Sequence, residues 1–124
     1  MTSFQAEAED FVPISCAIPT QFNGPGKNYS PEDLLAISLL TCIIATFKVF
    51  AEKSQLGFER IDATAEIIVD RVGGAVAISK IEAKATLFGV QDQEKAKKLL
   101  DQAAKNCLVS NALKIEKQFS FQFQ

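Results

Sequence analysis

From Leu34 to Phe47 the chain carries no charged residue, and on both sides of that run the pattern changes to short-range alternation. The run opens with helix-start signals. Ser30 suits an N-cap, Pro31 the first helical position, and Glu32 and Asp33 the positive end of a helix dipole. Ser30 and Asp33 also stand at capping-box spacing. The pattern predicts a helix from Pro31 to Lys53, stopped near Gly57, that must be buried on most sides. The uncharged run falls short of the ~20 residues that span a bilayer, so no membrane segment is expected.

The flanking segments read as strands and one further helix. Phe4 to Ile18 is extended, with Val12, Ile14, Cys16 and Ile18 on one face, so Cys16 is expected in the core. Asn23-Gly24-Pro25-Gly26 forms a breaker cluster before the helix. It lacks a Gly-Lys-Ser/Thr ending, which argues against phosphate binding. Ile61 to Asp70 alternates, with Ile61, Ala63, Ala65, Ile67 and Val69 inward. Gly73-Gly74 marks a turn, and Ala75 to Phe88 returns with Ile81, Ala83, Ala85 and Leu87 inward, which makes a hairpin. Asp92 caps a helix to about Asn106 whose apolar face is Ala96, Leu99, Leu100 and Ala103. A helical turn over Val109 to Leu113 and a strand with Phe119, Phe121 and Phe123 on one face close the chain. The expected fold class is α+β, helices on an antiparallel sheet, in a single domain over residues 1–124.

Composition narrows the chemistry. The net charge of -2 gives no electrostatic reason to expect nucleic acid or an anionic membrane as partner. Met1 to Asp10 has neither the basic nor the hydrophobic region of a secretory leader, so a cytoplasmic location is expected. With no histidine, a Ser-His or Cys-His pair and an imidazole metal site are both excluded. The three cysteines match neither a zinc spacing nor an even disulfide framework, and neither a metal nor a cofactor is expected.

Cys42 lies in the middle of the long helix, on a stripe of small and polar residues with Ser38 and Thr46 at four-residue spacing and Thr41 and Ala45 beside them. Periodicity leaves two meanings open, a pocket thiol or a seam where another helix packs closely. A reactive Cys42 would need Arg, Lys, hydroxyls or a helix terminus to stabilise its thiolate. Arg60 and Arg71 flank the first hairpin strand, where a solvated strand end is the simpler expectation.

Several of these residues in combination resemble the family of osmotically inducible protein C (OsmC) and the organic hydroperoxide resistance proteins, from about Pro19 to the C-terminus. Pro31-Glu32-Asp33-Leu34-Leu35 looks like that family's helix start, Cys42 like its peroxidatic cysteine, and Cys107 in Asn106-Cys107-Leu108-Val109-Ser110 like its resolving cysteine. The resemblance implies an intertwined homodimer that reduces organic hydroperoxides with Cys42 and Cys107. It also implies recharging by a thiol reductant such as a lipoylated protein. Ten residues of helix rise about 15 Å, so Glu32 could serve the site only from a second subunit or through a bridging cation. Three departures stand out. Leu108 occupies the family's usual proline place. Gln21, in Thr20-Gln21-Phe22-Asn23-Gly24, occupies that of an activating arginine, which leaves Lys27, Arg60 or Arg71 to substitute and predicts a thiol near its unperturbed value. The family's first hairpin is missing or shortened. Two other functions remain open: a non-catalytic relative acting as scaffold or small-ligand binder, and a thioesterase-like fold, for which Leu34 to Phe47 offers no acid to act as base.

Overall fold

The structure, a computed structural model, describes residues 3–124; Met1 and Thr2, part of the stretch read for a leader, lie outside them. The chain divides into two compact units, one ending at Leu35 and one running from Ala36 to Gln124.

In the first unit, strands β1 (Phe4–Ala6) and β2 (Ile14–Cys16) pair antiparallel, with Phe4 opposite Cys16. The expected single extended segment is therefore two three-residue strands that form a short hairpin. Phe11, Val12 and Ile14 are exposed, whereas Cys16 is buried as its alternation predicts. A 3-10 turn at Thr20–Phe22 leads into the glycine loop. There the Gly24 amide donates to the Pro19 carbonyl and the Gly26 amide to the Ile18 carbonyl, each at 3.1 Å. A Cβ on Gly24 would press into the Ile18 carbonyl oxygen, well inside contact distance, so only glycine permits this approach. With those amides turned inward, they are unavailable to cradle a phosphate.

Helix α1 (Pro31–Lys53) begins in the first unit and continues through the second. Its start is the reciprocal capping box: the Asp33 amide donates to Ser30 Oγ at 3.0 Å and the Ser30 amide to Asp33 Oδ2 at 2.9 Å. Its end differs from expectation. Gln55, not Gly57, takes the left-handed conformation, at φ 56°. The Leu56 amide then reaches the Ala51 carbonyl at 2.8 Å and the Gln55 amide the Glu52 carbonyl at 3.2 Å, a Schellman closure with Leu56 buried as its apolar plug.

The second unit holds strands β3 (Arg60–Val72), β4 (Ala75–Phe88) and β5 (Glu116–Phe123), and helices α2 (Gln93–Asn106) and α3 (Leu108–Ala112). β3 and β4 form the expected hairpin around Gly73 and Gly74, both at positive φ. A register shift at Ile68/Val69 turns Val69 outward, against its predicted inward place. The sheet order is β3-β4-β5, and β5 runs parallel to β4. The sheet is thus mixed rather than antiparallel, because α2 and α3 carry the chain back across it before β5 begins.

One face of the sheet is apolar and receives α1. Ile81, Ala83, Ala85 and Leu87 of β4 are buried there, with Phe119, Phe121 and Phe123 alongside on β5. Between Leu40, Ile43 and Ile44 of α1 and the alanines and phenylalanines of the sheet, a void of only about 10 Å³ remains. The α1 residues that are buried, Ala36, Leu39, Ile43, Phe47 and Ala51, form a single stripe. In one chain the helix is therefore buried on one side, not on most sides. Ile37 is 44% exposed and Val49 49%. The whole helix is also longer than its uncharged core: its 23 residues, with a mean hydropathy of 2.2 over its most apolar window and 22% of that window buried, are enough by length and composition to cross a membrane.

Asp92 caps α2 by accepting from the Lys95 amide at 3.0 Å, and Ala96, Leu99, Leu100 and Ala103 are its buried face, all as predicted. The helix stops at Asn106 and α3 starts at once, with Cys107 serving as C-cap of the first and N-cap of the second.

Candidate functional site

α1 and the α2–α3 junction bring two of the three cysteines together. Cys42 sits half-buried at mid-helix on α1, and Cys107 is fully buried at the junction. Both are free thiols, and they stand close enough for each to shift the other's titration. The short helix α3 supplies the rest. Its first two amides, of Leu108 and Val109, lie near enough to the Cys42 sulfur to favour its thiolate, and the amide of Ser110 donates to the Cys107 sulfur at 3.4 Å.

These contacts split the two thiols. Burial pushes Cys42 up, but the hydrogen bonds from Cys107 and from the Val109 and Leu108 amides outweigh it, and the thiol lies below its ordinary value. Thr46 also stands beside the sulfur, yet the one proton of its hydroxyl is directed at the Cys42 carbonyl oxygen 2.8 Å away. The amides and the partner thiol therefore carry the effect. Cys107 is pushed the other way, first by burial and then by giving its proton to the bond with Cys42, against the smaller pull of the Ser110 amide. Between the two titrations the pair is one thiolate and one thiol, with the thiolate on Cys42.

Hydrogen-bond donors, rather than a charged neighbour, lower Cys42. That differs from the expected substitute cations. Arg60 stacks on Phe88, 4.1 Å from its ring centre, and pairs with Asp62 at 3.2 Å. Arg71 donates to the Gly74 carbonyl in the hairpin turn. Gln21 and Lys27 are exposed in the first unit. Main-chain amides can act on a thiolate as an arginine would, and they draw the Cys42 thiol downward. Glu32 occupies the first turn of α1, and its Oε2 is buried with no hydrogen-bond partner among the described residues. Cys16 is buried in β2 with its thiol directed at the Ile14 carbonyl, 3.7 Å away.

The sequence pattern of OsmC-like proteins matches residues 24–122. The chain belongs to the OsmC-like family. Among curated relatives of this OsmC-like chain, YmaD of Bacillus subtilis (strain 168), itself uncharacterised, is 29% identical over 104 residues, which cover 80% of this chain and 69% of YmaD. An OsmC-like protein of unknown function from Vibrio cholerae superposes with a TM-score of 0.83 at 17% identity, covering 98% of this chain and 84% of that one. An organic hydroperoxide resistance protein from Elizabethkingia anophelis superposes with a TM-score of 0.80 at 18% identity, covering 98% of this chain and 94% of that one. The OsmC-like fold is thus shared with proteins named for hydroperoxide resistance.

The donor set of this OsmC-like site can be tested at one atom. Leu108 is the first residue of α3, a place where proline fits the backbone but brings no N–H. Leu108→Pro removes one donor from the Cys42 sulfur and should raise its pKa toward the ordinary thiol value. Less thiolate is then present at pH 7, and iodoacetamide should label Cys42 several-fold more slowly. An unchanged pH profile of alkylation would show that this amide does not serve the sulfur.

Proposed function

We propose that the protein is a thiol-dependent organic hydroperoxide reductase, a homodimer of single-domain chains, with Cys42 as the peroxidatic and Cys107 as the resolving thiol. One observation carries this reading. Two cysteines on different elements are brought side by side, with one biased toward thiolate and the other toward thiol.

In the first step the Cys42 thiolate attacks the terminal oxygen of the hydroperoxide. The O–O bond breaks, the alkoxide leaves and takes up a proton to become an alcohol, and Cys42 becomes a sulfenic acid. Cys107, held as a thiol until then, is the nearest proton source for that alkoxide. Its sulfur next attacks the sulfenic sulfur, water leaves, and the disulfide forms. The sum is one hydroperoxide and two thiols giving one alcohol, one water and one disulfide. An external dithiol, of the kind a lipoylated protein carries, returns the pair to thiols by exchange.

Glu32 enters as a positioning residue. A buried carboxylate oxygen without a partner calls for a donor or a cation, and a second subunit is the source we assign to it. A thiol pair that must be returned to its reduced state by an external dithiol goes with a reducing, cytoplasmic location. No nucleic-acid or membrane partner enters this reading.

Peptide mapping after one equivalent of cumene hydroperoxide tests it. The expected product is a Cys42–Cys107 disulfide with Cys16 still free. Over-oxidised Cys42 beside an intact Cys107 thiol would remove the two-cysteine mechanism. Three unreacted thiols would favour a binding role over an enzyme.

A further inference from the structure

Lys117 breaks the pattern of its own strand. It shares a face of β5 with Phe119, Phe121 and Phe123, and its register partner on β4 is the fully buried Ile81. An ammonium on the apolar face of a sheet is costly unless it is compensated by hydrogen bonds. Here the compensation is specific: Nζ donates to the Ser110 carbonyl at 2.6 Å and to the Leu113 carbonyl at 2.5 Å. Both carbonyls belong to the end of α3, the second at its C-cap.

α3 has only five residues, too few to hold a helix by its own hydrogen bonds. Leu108 is 81% exposed and only Ser110 is buried, so packing contributes little. Besides the Cys107 sulfur at its start, α3 has a side-chain tether from Asn111 Nδ2 to the Lys105 carbonyl at 3.0 Å. Lys117 thus fixes the carbonyl end of the same short helix whose cap residue is Cys107 and whose amide end faces Cys42.

We propose that Lys117 is a positioning residue, a clamp from β5 that holds α3 so that the Cys107 sulfur stays within bonding reach of Cys42. Its meaning for turnover rests on the hydroperoxide reading above. Its geometry does not, and the test separates the two.

The test uses the full chain and diamide, which takes two electrons and two protons from a pair of adjacent thiols, leaves a disulfide, and becomes a hydrazine. Closure is then read by peptide mapping without any peroxide. Lys117→Met keeps the apolar stem and removes the ammonium. It should close the Cys42–Cys107 disulfide roughly 10- to 100-fold more slowly than wild type, as displacement of a reacting group by about 1 Å does. Lys117→Arg reaches the same carbonyls and should close at close to the wild-type rate. If Lys117→Met fails to fold, as circular dichroism would show, Lys117→Gln replaces it. Its amide can serve one carbonyl, and its closure should fall between wild type and the loss expected for methionine. A folded Lys117→Met or Lys117→Gln that closes as fast as wild type overturns the clamp, and so does an arginine variant as slow as the methionine one. Wild-type protein that ignores cumene hydroperoxide, while the diamide series follows the expected order, supports the clamp and overturns the hydroperoxide reading.

Discussion

Cys42→Ser should abolish turnover of cumene hydroperoxide, whereas Cys107→Ser should still oxidise Cys42 to a sulfenic acid with its first equivalent but fail to turn over. The asymmetry follows from the split pair. A serine hydroxyl at position 42 would face the same amides but would remain protonated at neutral pH, and the first step needs an anionic, polarisable nucleophile. With Cys107 replaced, the Leu108 and Val109 amides still face the Cys42 sulfur, so the first oxidation survives in slower form. The sulfenic acid then has no neighbouring thiol and should progress to sulfinic acid with excess peroxide. Mass spectrometry of Cys42 after one and after ten equivalents checks both variants. Repeated turnover by Cys107→Ser would mean that an external thiol resolves the intermediate directly. Turnover by Cys42→Ser would move the chemistry to another residue.

The second large effect concerns the side of α1 that one chain leaves open. Ile37, Thr41, Ala45 and Val49 recur at four-residue spacing and are all exposed. Small residues in the middle of such a stripe allow two helices to approach closely, and a two-fold axis would place the same stripe on both. Light scattering should give about twice the chain mass of 13.5 kDa. Ala45→Glu preserves helix propensity but puts an unpaired carboxylate into the seam from each side, and leaving such a charge buried costs about 3–5 kcal/mol. The variant should scatter as a 13.5 kDa monomer at micromolar concentration. Wild-type protein that is already monomeric would sink the dimer and leave the open side of α1 as a surface for a bilayer instead.

What could be foreseen from the residues was what local chemistry determines. Ser30 and Asp33, Asp92, and the Ala96-Leu99-Leu100-Ala103 face identify their helices within a few residues, because caps and periodicity act over one or two turns. The direction of β5 could not be foreseen. Alternating phenylalanines are equally consistent with parallel and antiparallel pairing, and only the crossover through α2 and α3 decides between them. Gln55 took the helix-ending position that Gly57 was expected to take, since a Schellman closure tolerates left-handed glutamine when Leu56 can be buried. Val69 was misplaced by a one-residue shift that alternation cannot announce. At the site, the two cysteines were suggested by family resemblance. The donors that act on them were not, because backbone amides are present at every residue and leave no mark in a sequence. Lys117 did leave one: a lysine two positions before a run of alternating phenylalanines, on their side of the strand.

Because Cys107 is carried by the connection between two parallel strands, a bond from it to Cys42 would bind the central helix to that crossover and enclose the whole β3–β4 hairpin in a covalent ring. A ring spanning positions 42 to 107 removes about 4 kcal/mol of chain entropy from the unfolded state. Oxidation would thus make the protein harder to unfold, and each round of reduction would release that constraint. If the pair cycles as proposed, the form that meets substrate is the one more easily unfolded.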